Sequence, residues 1–98
     1  MKYTIVYHTD AEEDVARAKK WYREQAAGLE KRFAKTIKQT INHIIENPLL
    51  FEVRYKKNRI AFTKVFPFGI HYLLDQKTNT VYILAVLHTS LNPDNNWL

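Results

Sequence analysis

The sequence contains no cysteine, only two glycines and three prolines, and no long apolar run. Without cysteine the chain can form neither a disulfide framework nor a thiolate metal site. The longest apolar run, residues 81–87, is far shorter than the roughly 20 residues that a membrane-spanning helix needs. Histidines and acids do not follow metal-ligand spacing, so we expect no metal and no cofactor.

The N-terminal residues also lack the pattern of a signal peptide. Residues 1–10 contain no basic segment followed by a long apolar stretch and a small-residue cleavage site. We therefore expect a cytoplasmic protein. A chain of 98 residues is long enough for one hydrophobic core only, so we expect a single domain over residues 1–98.

Acidic residues are missing from one stretch, and the net charge of the chain is concentrated there. No acid occurs between Val53 and Leu74, and the five basic residues in this interval equal the formal net charge of +5. They are Arg54, Lys56, Lys57, Arg59 and Lys64. Concentrated positive charge attracts phosphates or acidic protein surfaces.

The first half of the chain predicts a strand and then two helices. Residues 2–7 alternate and are rich in β-branched and aromatic side chains, which favours a strand. Thr9 and Glu12 have capping-box spacing, so we expect a helix with Thr9 as its N-cap. Gly28 predicts a turn, and Asn47-Pro48 ends the second helix. The predicted buried stripes are Ala11, Val15, Ala18 and Tyr22 on the first helix and Leu29, Phe33, Ile37, Ile41 and Ile44 on the second.

The second half predicts β-structure. Residues 51–56, 59–66, 70–74 and 80–88 read as strands, with a turn at residues 66–69 and another at residues 75–79. We expect an α+β fold in the order β-α-α-β-β-β, with one extra short strand allowed. A helical hairpin packed on one face of an antiparallel-rich sheet would bury both helix stripes.

Several segments together resemble the RelE/ParE family of bacterial type II toxin–antitoxin toxins, over nearly the whole chain. The resemblance rests on the stretch at residues 7–14 and on the closing residues 85–88, with shorter matches between them. Those shorter matches are Trp21-Tyr22, Gly28-Leu29, Glu46-Asn47-Pro48, Arg54-Tyr55 and residues 66–72.

The resemblance implies a small growth-inhibiting toxin that a separately encoded antitoxin blocks. Within the family, RelE-like toxins cleave mRNA in the ribosomal A site, whereas ParE-like toxins inhibit DNA gyrase without a nuclease site. The sequence favours ribosome-dependent mRNA cleavage slightly, as a metal-independent endoribonuclease. The alternatives are a gyrase inhibitor and a weakened toxin that retains only antitoxin binding.

The nuclease hypothesis assigns roles to particular residues. Cleavage by the 2′-hydroxyl needs a base, an acid and cations for the phosphate. His88 would serve as base or acid, because histidine titrates near neutral pH. Arg59 and Lys64 would bind the phosphate, and Tyr72 would stack on a base or donate a proton. Arg54, Lys56 and Lys57 would bind RNA phosphates or the antitoxin. The simpler alternatives are that the basic residues form an ordinary solvated hairpin, that His88 only caps its strand and that Tyr72 packs in the core.

One departure from the family pattern weakens the nuclease hypothesis. After the histidine of the final strand, many members carry arginine and then Asp-Pro, whereas this chain has Ser90, Leu91 and Asn92 before Pro93. If those charges bind phosphate, this chain lacks them.

The partners expected from the resemblance are a cognate antitoxin and either the ribosome with its mRNA or DNA gyrase. A basic toxin surface predicts that an acidic, partly disordered antitoxin segment folds over residues 54–64 on binding. No membrane partner is expected.

Overall fold

The computed structural model describes residues 2–90, in which two helices cover one face of a five-stranded sheet. The strands are β1 (Thr4–Tyr7), β2 (Val53–Tyr55), β3 (Asn58–Phe62), β4 (Phe68–Asp75) and β5 (Thr80–His88). The helices are α1 (Thr9–Gln25) and α2 (Leu29–Glu46). The α+β prediction is confirmed, with β2 as the extra short strand.

The sheet has the order β1-β5-β4-β3-β2. The first strand pairs in parallel with β5, and the other neighbours are antiparallel. The helical hairpin provides the crossover between the first strand and the rest of the sheet. Among residues 2–90, neither helix is long and apolar enough to cross a membrane.

The core lies between the helices and one face of the sheet. On α2, Phe33, Ile37, Ile41 and Ile44 are buried as predicted, whereas Leu29 is half-buried. Alternate residues of β4, including Phe68, Ile70 and Tyr72, belong to the same core. Since successive strand residues face opposite ways, Gly69, His71 and Leu73 lie on the face away from the helices.

The helix start and one turn differ from the predictions. His8, not Thr9, is the N-cap of α1, and its Nδ1 accepts a hydrogen bond of 3.1 Å from the backbone N–H of Asp10. The His8 N–H also donates a hydrogen bond of 2.9 Å to the carbonyl of Ile83, so the cap residue is tied to β5. Phe68 and Gly69, predicted as turn residues, begin β4 because the Thr63 N–H pairs with the Phe68 carbonyl.

Candidate functional site

Tyr72 lies in the middle of the core and cannot reach a substrate in this structure. Its side chain is fully buried on the helix-facing side of β4. Its hydroxyl donates a hydrogen bond of 2.6 Å to the carbonyl of Pro48, just after α2. Burial raises the pKa of Tyr72 to about 12, against a smaller opposing effect of the Arg59 charge. The phenol therefore stays protonated near neutral pH and anchors the segment that leaves α2.

Arg59 is the cross-strand partner of Tyr72 and serves the same segment. One guanidinium nitrogen donates a hydrogen bond of 2.6 Å to the carbonyl of Phe51. Arg59 is half-buried beside the segment that connects α2 to β2. Arg59 and Tyr72 thus hold two carbonyls of this connection against the sheet.

His88 lies at the opposite end of the helix-facing side. It is the last residue of β5 and pairs with Phe68, whose ring it meets edge-on at 5.2 Å. Its Nδ1 accepts a hydrogen bond of 3.0 Å from the Ser90 N–H, which is a capping contact. Tyr72 lies four positions after Phe68 on β4, which corresponds to about 13 Å along the strand. The structure therefore does not bring His88 together with Arg59 and Tyr72.

The basic residues that are continuous in sequence are divided in space. Lys56 and Lys57 form the exposed β2–β3 turn, with Lys56 at φ 52°, whereas Lys64 follows the far end of β3. Arg54 reaches over the ring of Phe62, with 5.6 Å from its guanidinium carbon to the ring centre. Arg54 and Lys56 do not project together from one strand, because β2 ends at Tyr55 with an irregular register.

The sheet face away from the helices contains a buried histidine. The Tyr55 hydroxyl and His71 Nδ1 lie 2.8 Å apart, and His71 is only 1% exposed. Burial lowers the pKa of His71 to about 4, so its imidazole is neutral at pH 7.

A groove between α1 and β5 was not predicted as a site. It measures about 510 Å³, and its lining includes Trp21, Arg17, Pro67, Leu87 and His88. Trp21 is 56% exposed. The sequence feature that could have indicated this site is Trp21, an aromatic residue beside the apolar stripe of a helix and flanked by Lys19, Lys20 and Arg23.

The groove borders an incomplete strand edge. The first strand pairs with β5 only as far as Tyr7 opposite Ile83, so residues 84–88 have no strand partner on that side within residues 2–90. Asp14 of α1 fills part of the gap, since its carboxylate accepts a hydrogen bond of 3.0 Å from the Val86 N–H. An apolar groove beside an open strand edge is a suitable seat for a peptide segment.

The sequence matches the family described as the ParE toxin of the type II toxin–antitoxin system parDE, over residues 5–93. Comparison with curated proteins gives no match.

Several solved structures share the fold. One from the chromosomal ParDE toxin–antitoxin system of P. aeruginosa has a TM-score of 0.77 and 11% identity, covering 89% of this chain and 96% of that one. A chain of the RelBE2 toxin–antitoxin complex from Mycobacterium tuberculosis has a TM-score of 0.64 and 18% identity, covering 90% and 99%. A chain of the E. coli DinJ–YafQ toxin–antitoxin complex has a TM-score of 0.62 and 16% identity, covering 94% and 98%. At such identities these likenesses concern the fold alone.

Proposed function

Since the chain belongs to the ParE toxin family of type II toxin–antitoxin systems, we propose that this toxin inhibits growth by binding its target, with no bond cleaved. DNA gyrase is the expected target, as the resemblance to ParE-like toxins implies. The proposal concerns the mode of action; membership of the toxin family is its premise.

The scattering of the predicted catalytic residues is the observation that carries this proposal. General acid–base catalysis needs its groups within hydrogen-bond reach of one reacting centre. Tyr72 and Arg59 are engaged with backbone carbonyls, and His88 lies about 13 Å further along the sheet. This arrangement supports a toxin that needs a complementary surface only.

Ribosome-dependent mRNA cleavage is the competing proposal. The exposed hairpin of Arg54, Lys56 and Lys57 supports it, because these side chains can contact phosphates. Under that proposal, replacing Arg59 and His88 with alanine should abolish cleavage in a protein that remains folded.

Two assays separate the proposals. We expect the purified toxin to inhibit DNA supercoiling by gyrase and to leave the 5′ ends of a labelled mRNA unchanged in a reconstituted translation reaction. New ends at ribosome-occupied codons, absent without ribosomes, together with unimpaired gyrase, would contradict the binding proposal. A folded protein that affects neither reaction nor cell growth would support a weakened toxin that binds only its antitoxin.

We place the antitoxin, in the same proposal, against the groove between α1 and β5. An extended segment seated there could cover Trp21 and supply the hydrogen bonds that the β5 edge lacks within residues 2–90. The earlier expectation, that an acidic antitoxin segment covers the hairpin at residues 54–64, is compatible with this placement if the antitoxin wraps around the domain.

A further inference from the structure

The turn between β3 and β4 contains an unfavourable backbone conformation. Val65 has φ 71°, and the Phe66 N–H donates to the Lys64 carbonyl at 2.7 Å, which closes a tight three-residue turn around Val65. A positive φ is unfavourable for a β-branched residue, and this turn is a rare, strained type. Lys56 and Asn79, the other non-glycine residues with positive φ among residues 2–90, are turn residues without branching at Cβ.

The surrounding contacts hold this conformation in place. The hydroxyl of Thr63 donates to the Phe66 carbonyl at 2.6 Å. The ring of Phe66 packs against Tyr22 and Phe33, with centre-to-centre distances of 5.1 and 5.4 Å. Since Phe66 points into the core, Val65 points outward and is 87% exposed.

Two shallow depressions join this turn to the outer side of α2. One, of about 280 Å³, is lined by Val65 and Phe66 with Arg32, Lys35, Thr36 and Gln39. The other, of about 380 Å³, shares Thr36 and Gln39 and extends to Lys64, Phe51 and Phe62. Of the residues that the structure describes, no acidic one lines either depression. Within residues 2–90, Arg32, Lys35 and Lys64 form no ion pair.

We propose that Val65 together with Arg32, Lys35 and Lys64, here termed the Val65 surface, docks an acidic segment of the toxin's target protein. This inference rests on the proposed function, since a toxin that acts by binding needs an outward contact surface that its own fold does not use. Strain is retained where the surrounding structure enforces it, and such positions cluster at functional sites. An exposed apolar side chain ringed by unpaired cations complements an apolar residue flanked by carboxylates.

A protein partner fits this surface better than a nucleic acid. Binding of single strands relies on aromatic faces that stack with bases. One face of Phe62 is covered by the Arg54 guanidinium at 5.6 Å, and Phe51 packs edge-on against Tyr72. The apolar group that the surface does present, Val65, has no ring to stack.

The test compares toxin variants for growth inhibition without antitoxin, for gyrase inhibition and for antitoxin binding. Arg32→Glu/Lys35→Glu reverses two charges of the Val65 surface. Lys2→Glu/Lys77→Glu makes the same charge change at exposed positions outside both the groove and the Val65 surface and is the matched control. We expect the first pair to weaken growth and gyrase inhibition by about tenfold or more, and the control to leave both unchanged. Circular dichroism and thermal melting confirm that each variant is folded.

Val65→Asn tests the turn separately. Asparagine tolerates a positive φ better than valine does, so this variant should melt a few degrees higher while its toxicity falls. A gain in stability with a loss of toxicity is not expected of a residue whose only role is structural.

Each other result has a defined meaning. Full toxicity of Arg32→Glu/Lys35→Glu and Val65→Asn at equal soluble levels would overturn the inference. Retained toxicity with weakened antitoxin binding would assign the surface to the antitoxin. If the wild type binds single-stranded RNA and Arg32→Glu/Lys35→Glu does not, the surface would be assigned to nucleic acid. Either result would overturn the inference. If the wild type arrests growth without inhibiting gyrase, gyrase is the wrong target, and the Val65 surface is then judged by growth inhibition alone.

Discussion

The polar groups of Tyr72 and Arg59 stabilise the fold. The hydroxyl and the guanidinium each bind a carbonyl of the connection that follows α2, at 2.6 Å in both cases. A buried carbonyl that loses its donor costs about 1–3 kcal/mol, since it has no water to replace the bond. Conservation of charge or hydroxyl at such positions would therefore reflect stability as readily as catalysis.

Tyr72→Phe separates these two roles. The change removes one hydroxyl from the core, so we expect the free energy of unfolding to fall by about 1–2 kcal/mol. Toxicity should stay at the wild-type level, because the side chain is fully buried. Urea denaturation and induced growth inhibition measure the two quantities. A stable variant that has lost its toxicity would contradict the assignment of Tyr72 to the core.

Among the elements, α1 and β5 leave a gap that the other described residues, within 2–90, only partly close. The parallel pairing stops at Tyr7 opposite Ile83, and beyond it the Asp14 carboxylate accepts a hydrogen bond from the Val86 N–H. Exposed strand edges are usually covered or paired in native proteins. The groove beside this edge is therefore the place where we seat the antitoxin.

Trp21→Ala tests this seat. Because more than half of Trp21 is exposed, we expect the free energy of unfolding to change by less than about 1 kcal/mol. Antitoxin affinity should fall at least about tenfold, because aromatic anchors dominate such interfaces. Isothermal titration calorimetry with the purified antitoxin measures the change.

Lys56→Glu/Lys57→Glu is the comparison for this experiment, since it tests the antitoxin contact expected at the β2–β3 turn. Weakening by both variants would indicate that the antitoxin wraps from the groove to the turn. Unchanged affinity in Trp21→Ala would remove the groove from the antitoxin interface.

Across the whole molecule, the two faces of the sheet are both covered at β4, although only one carries helices. On the far face His71 is buried and held beside Tyr55, and its pKa is lowered to about 4. The ordinary pKa of histidine is near 6.5, so the unfolded chain takes up the proton at a higher pH than the folded protein does. The burial of neutral His71 therefore contributes fully to stability above pH 6.5, and this contribution is lost as the pH falls towards 4.

The pH dependence of unfolding checks this point. We expect the urea midpoint of the wild type to fall between pH 6.5 and pH 4. His71→Gln retains a polar side chain that does not titrate, so its midpoint should fall less steeply over the same interval. Equal slopes for the two proteins would show that other groups cause the acid sensitivity.

Local patterns predicted much of the fold. Helical spacing located most of the buried stripe of α2 and, on α1, the buried Ala11 and Tyr22 with the half-buried Val15 and Ala18; the apolar run near the end located β5 at residues 80–88. The sequence could predict these features because hydrophobic periodicity, like the effect of proline on a helix end, depends on only a few neighbouring residues. The start of α1 was misplaced by one residue, since the cap is His8, whose Nδ1 accepts from the Asp10 N–H, and histidine is not among the residue types that mark an N-cap in a sequence.

The sequence by itself determined the toxin family, the order of the elements and the concentration of positive charge in one segment. Only the tertiary structure decided where each candidate side chain lies. The register of β3, β4 and β5 places Arg59 beside Tyr72 and sets His88 beside Phe68, four positions away along β4. It is the core packing of Phe66 that turns Val65 outward. Both outcomes depend on contacts between distant segments, and no local sequence pattern encodes such contacts.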